Sequence, residues 1–190
     1  MKPSALLLLL PLLVSLGVSN AIPQDSTPHV WRQSQKTDAS RGLTFAQFTL
    51  MGKFLKAPQH GGDISNRPAL VVDCNPKKDS HKGKFESASL LIGANLKIIY
   101  VEPEEIHGTS YFPMVLIHYR VNDAKDEEDK WSPGSDKTAV AVPKDAFKKI
   151  LRAQTVDITV NEDSGSEITM KFEIPDSKSV EDACNVDDKE

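Results

Sequence analysis

Two cysteines and five histidines are the side chains whose types could carry chemistry in this 190-residue chain. Cys74 ends the apolar run "RPALVVDC", and Cys184 lies in "EDACNV". A nucleophilic thiol needs its pKa lowered by a nearby histidine or a helix start. Neither stretch offers one locally, and Asp73, Glu181 and Asp182 oppose thiolate formation. The other chemistry open to the pair is oxidation to one disulfide (Cys74, Cys184) spanning 184 − 74 = 110 residues. Closing a loop of that length stabilises by about 4–5 kcal/mol on the chain-entropy account. The histidines are His29, His60, His81, His107 and His118, and no two form HxH, HxxxH or HExxH. His60 with Asp63 supplies two ligands three apart, too few for a metal, so the expectation is a solvated loop and no metal. Ser132, Ser135 and Asp136 in "WSPGSD" pair hydroxyls with an acid, but Pro133-Gly134 dictates a turn there. G-x-S-x-G, P-loop and G-x-G-x-x-G patterns are absent. The chain therefore offers no catalytic motif, and no cofactor is expected.

The densest charge lies in "NDAKDEEDKW", Asn122 to Trp131, with five acids and two lysines. It lacks the spacing that orders calcium ligands. It reads as a solvated loop over 123–131 whose residues offer a candidate interaction surface. Asp126, Glu127, Glu128 and Trp131 belong to it, with His118 and Arg120 on the wet parity of the preceding strand. An indole at a loop–strand junction either caps the core edge or anchors an interface.

These residues need a scaffold, and compartment decides what holds it. The chain opens "MKPSALLLLLPLLVSLGVSNA": a basic n-region, an apolar run from Ala5 to Val14, and small residues at Ser19 and Ala21. That order is a secretory signal peptide over 1–21. The run is shorter than the roughly 20 apolar residues that span a bilayer, so no stable anchor is expected after cleavage. Removal of Lys2 takes the formal net charge from −4 to −5, which excludes an electrostatic footprint for nucleic acid. A secreted or periplasmic location follows, and there paired cysteines oxidise.

Residues 22–42 read as a polar flexible leader with Trp31 as its one large anchor. Residues 43–190 read as a single β-rich domain. "LTFAQFTLMGKFL" puts Thr44, Ala46, Phe48 and Leu50 on one parity. "ALVVDC" places Leu70, Val72 and Cys74 on one face, and "FESASLLIG" and "LKIIYVE" continue as strands. The cleanest alternation gives the inward sets Val115, Ile117, Tyr119, Val121; Val156, Ile158, Val160; and Ile168, Met170, Phe172, Ile174. Half-buried antiparallel strands alternate in this way. "PKDAFKKILRAQ" carries a helical stripe of Phe147, Ile150 and Leu151, and "DSKSVEDAC" carries Val180, Ala183 and Cys184 at i, i+3, i+4. The expected fold is mainly β with two short helices: an antiparallel β-sandwich or strongly bent sheet, helices closing the ends.

From Arg67 onward the layout resembles small bacterial exported proteins, similar to the type VI secretion-associated envelope accessory proteins of the VasI type. The features that carry it are "RPALVVDC", "HYRVND…KWSPGSDKTAVAVP", "AFKKIL" followed by "VDITV", and the closing "MKFEI…VEDAC". The insert at Asp123 to Lys130 and the leader depart from that pattern. The resemblance implies a β-rich periplasmic or secreted domain and transfers no functional residue. Together these readings point to an exported non-enzymatic binding or envelope accessory module with a protein partner in the envelope or outside the cell. The rival expectations are a hydrolase-type or isomerase enzyme with a dispersed site, and an inhibitor of an extracellular enzyme acting through the 123–131 loop.

Overall fold

The structure, a computed structural model, describes residues 30–60, 67–75, 83–102 and 111–186. The expected signal peptide and the first part of the expected leader lie outside them. In chain order the strands are β1 (Arg32–Asp38), β2 (Leu43–Met51), β3 (Lys53–Lys56), β4 (Ala69–Asn75), β5 (Gly83–Leu91), β6 (Ile99–Val101), β7 (Phe112–Val121), β8 (Glu127–Trp131) and β9 (Ala139–Ala141). Helix α1 (Lys144–Leu151), β10 (Thr155–Asn161), β11 (Glu167–Glu173), α2 (Lys178–Ala183) and β12 (Cys184–Asn185) follow. The first sheet runs β1-β2-β4-β5-β12 with β9 also on β5. The second runs β3-β11-β10-β7-β6 with β8 also on β7. All named strand pairs are antiparallel except the two-residue β12–β5 contact. Two antiparallel sheets face each other, with two short helices beside them.

The chain crosses from one sheet to the other at their margins. "LTFAQFTLMGKFL" is two strands in different sheets, with Gly52 at the crossing. A Cβ at Gly52 would lie 2.7 Å from the Phe172 ring, so only glycine lets the chain pass there. Its N–H donates to the Pro68 carbonyl at 2.7 Å, and Arg67 Nε donates to its carbonyl at 3.0 Å. On the other margin the chain leaves β8, and Pro133 bridges Val140 of β9, linking the two sheets again. Strands that bend from one sheet into the next make the corners of such a sandwich.

The core lies between the inner faces. Phe48, Leu50, Leu70, Val72, Val115, Ile117, Val156, Ile158, Ile168, Met170 and Phe172 are buried there, as the alternation requires. Thr44 is exposed, contrary to its parity, whereas Phe45 on the opposite face is buried, with the Arg41 guanidinium 5.6 Å from its ring centroid. The leader expectation fails over Arg32–Asp38, which pairs with β2 as an edge strand, so the domain begins before Leu43. Nearly every residue of β1 is exposed, so it has no apolar face and no period to read. Only Ile99–Val101 of "LKIIYVE" joins a ladder.

Helix α1 buries Ala146, Phe147, Ile150 and Leu151, with Asp145 in its first turn and Lys148 and Lys149 in its last. That charge order favours the helix dipole. Helix α2 ends at Ala183, and Cys184 turns into extended backbone rather than continuing the helical face. Cys184 sits opposite Gly83 and is bonded to Cys74, with the two Cα atoms 5.4 Å apart. Both cysteines are 1% exposed. A Cβ on Gly83 would approach the Ala183 carbonyl at 2.5 Å and the Asn75 carbonyl at 2.7 Å, so this glycine lets the tail come close enough to bond.

Candidate functional site

The residues expected to form one interaction surface divide between the two faces of the β7–β8 hairpin. Glu127–Trp131 is a strand paired with Tyr119–Val115, not part of a loop, so the 123–131 loop reduces to the turn before Glu127. Five consecutive charged or aromatic residues hid the alternation: Glu127, Asp129 and Trp131 share one parity, Glu128 and Lys130 the other. An inhibitor acting through a free 123–131 loop therefore loses its loop.

Trp131 is not on the surface. It is 0% exposed, tilted against Tyr119 with ring centroids 5.8 Å apart, and its Nε1–H donates to Asp129 Oδ2 at 2.9 Å. Glu127, on the same parity, ties the hairpin to α1. Its Oε2 accepts from Lys149 Nζ at 2.6 Å and from the Tyr119 hydroxyl at 2.9 Å. The Lys149 and Tyr119 hydrogen bonds hold the Glu127 carboxyl below its usual range. Burial, reinforced by Glu127, pushes the Tyr119 phenol up.

The opposite parity brings His118, Arg120, Asp126 and Glu128 together on the outer face of the second sheet. Arg120 Nη2 donates to Asp157 Oδ2 at 2.7 Å, and its Nη1 is 3.9 Å from Asp126. His118 Nδ1 is 3.9 Å from Glu128. A notch of about 210 Å³ opens beside them, reaching Thr159 and Thr169 on β10 and β11. Asp157, Thr159 and Thr169 went unremarked in the sequence because they read only as the wet side of two strands.

Glu162 was missed as well. It continues the inward parity of Val156, Ile158 and Val160, a signal the hairpin composition of "NEDSGS" obscures. The carboxylate is 2% exposed. It accepts the N–H of Gln59 at 3.0 Å, the N–H of His60 at 3.3 Å and the Ser164 hydroxyl at 2.9 Å. His60 Nδ1 lies 3.8 Å away with its ring mostly in solvent, and Asp63 is outside the described residues. Among the described residues no group of three or more His, Cys, Asp or Glu converges as a metal set. Glu162 is an anchor for the chain leaving β3. Glu162→Ala should cost about 1–3 kcal/mol by orphaning two amides, and Glu162→Gln, which keeps an acceptor, less. Amide exchange at Gln59 and His60 should quicken in the alanine variant; unchanged exchange and stability would remove the anchoring role.

Ser132, Ser135 and Asp136 do not converge. The segment is a turn, with Lys137 N–H donating to the Gly134 carbonyl at 3.1 Å and Asp136 Oδ1 accepting Thr138 N–H at 3.0 Å. The first sheet carries a different surface. Its outer face crosses the register Thr49–Val71–Ser89–Ala141 and, one step along, Met51–Ala69–Leu91–Ala139. All eight are uncharged. A shallow trough of about 520 Å³ is lined by five of them, Thr49, Met51, Ala69, Val71 and Leu91, together with Arg67 and Asp136.

The fold and surfaces define a disulfide-tied two-sheet β protein, with no helix among the described residues long and apolar enough to cross a membrane. Comparison with protein-family models, curated proteins and solved structures finds no match.

Proposed function

We propose that this chain is an exported, non-enzymatic binding or accessory module that docks a protein partner on the outer face of its first sheet. One observation carries the reading: the contrast between its two outer faces. The second sheet is covered by paired charges, Lys53–Glu173 at 3.4 Å, Lys56–Glu167 at 3.0 Å and Arg120–Asp157 at 2.7 Å. That is how a solvated face of a sandwich is built. The first sheet instead has an uncharged patch at one end of its outer face, with Leu91 44% exposed, and charge beside it in Lys36–Asp73 and Arg41–Glu86. Depletion of charge at the centre with a polar rim is the composition of a protein interface. The signal-peptide pattern and the disulfide support a partner in the envelope or outside the cell. The layout resemblance to type VI secretion-associated envelope accessory proteins gives the narrower form of the reading, a periplasmic or secreted accessory role.

The test is co-purification from the native host with wild type, Leu91→Arg, Val71→Arg and Lys53→Ala. An arginine within the uncharged patch should weaken capture of the same partner about 30-fold, the scale of a hot-spot loss of 2 kcal/mol. Lys53→Ala, on the other sheet, should leave it unchanged. Equal capture by all four would overturn the proposal. So would robust turnover of an envelope substrate that one point substitution abolishes.

A further inference from the structure

The notch on the outer face of the second sheet lies on the opposite side from the docking face, so the two stand or fall separately. Its floor is a pair of threonines on neighbouring strands, Thr159 and Thr169, with hydroxyl oxygens 3.2 Å apart. One of the two donates to the other, so the second keeps its own O–H free to point outward. One wall is Arg120, held by Asp157 at 2.7 Å and facing Asp126 at 3.9 Å; His118, Tyr119 and the exposed apolar Leu55 complete the lining.

We propose that this notch is a binding site for one saccharide ring, neutral or amino-bearing. Three features select that class. The volume of about 210 Å³ falls below the roughly 300–1,000 Å³ of pockets that enclose larger ligands, so it seats a single ring or the end of a chain. Donors and acceptors both line it: hydroxyls below, the guanidinium and the imidazole side by side on β7, and two carboxylates next to the guanidinium. A polyol, whose every hydroxyl both donates and accepts, can satisfy such a set, while Leu55 faces the C–H side of a ring. Two acids, Asp126 and Asp157, share the one guanidinium. The local excess is negative, which admits a neutral or cationic ring and repels an anionic one.

The oxidised protein labelled with ¹⁵N is titrated with D-glucose, D-galactose, D-glucosamine and D-glucuronate. At least one neutral or amino sugar should give saturable shifts at the amides of His118, Arg120, Asp157, Thr159 and Thr169. Glucuronate should bind at least about tenfold more weakly. The double variant Thr159→Val, Thr169→Val keeps side-chain shape and β preference but removes both hydroxyls. It should lose about tenfold in affinity, the equivalent of one net hydrogen bond, with its denaturation midpoint and disulfide intact. Absence of saturable shifts with all four sugars, equal binding of glucuronate, shifts confined to the first sheet, or unchanged affinity in the folded double variant would each overturn the proposal.

Discussion

Cys74→Ser and Cys184→Ser should each lower the free energy of unfolding by about 2–5 kcal/mol, and by nearly equal amounts. Both act on one bond, so either substitution removes the same 110-residue constraint from the unfolded chain. Domains of this size are stable by only about 5–15 kcal/mol in total, so the loss is a large fraction of the whole. Apart from the disulfide the tail is held by Val180 and Val186, buried in the core, and by a two-residue pairing with β5. β12 is two residues long, α2 is six, and Val180 is the one buried residue of that helix. The disulfide ties this short closing segment to β4, a strand flanked on both sides inside the first sheet. Equilibrium denaturation of the two variants and the wild type measures the effect, and intact mass of exported wild type should show two hydrogens fewer than the reduced chain. A large effect from one cysteine and none from the other would mean that one thiol has a separate role.

The pairing of the cysteines was legible because two independent patterns agreed. Cys74 falls on the inward parity of Leu70 and Val72, and Cys184 follows Val180 on an apolar spacing. The second pattern is helical, yet the helix ends at Ala183 and Cys184 reaches its partner from extended backbone. One residue beyond a helix end still projects near the last turn, so the inference survives a wrong local geometry. The strands of the second sheet were legible for the same reason: one face wet and one dry leaves a period of two. β1 was not, because it is wet on both faces. β8 was not, because acids occupy both of its faces and the one apolar residue comes last. The split of β2 from β3 was hidden because strand-forming residues continue on both sides of Gly52. Only the 2.7 Å clearance at Gly52 tells why the chain must change sheets there. The surfaces were least legible. An uncharged sheet face is assembled from Thr49, Val71, Ser89 and Ala141, four residues on four strands, and single-strand parity cannot show that they lie side by side.

Trp131→Ala should destabilise the protein by about 3–5 kcal/mol, the usual loss for emptying a buried aromatic site. The indole is fully buried where β8 ends and the chain turns toward β9, which makes it the stopper at the margin joining the two sheets. Its removal leaves Tyr119 without its ring partner and opens a cavity in the core. The hydrogen bond to Asp129 contributes less, because that carboxylate is near the surface and water can replace the indole N–H. Trp131→Phe, which keeps an aromatic ring in the site and gives up only that hydrogen bond and the outer ring, should therefore lose much less than Trp131→Ala. The sequence left two roles open for this residue, core cap or interface anchor, and these variants separate them. A core cap loses stability in the order alanine, phenylalanine, wild type, and partner capture falls only as folded protein is lost. An interface anchor would leave the denaturation midpoint untouched while capture collapsed, and that result would contradict the buried position of the ring.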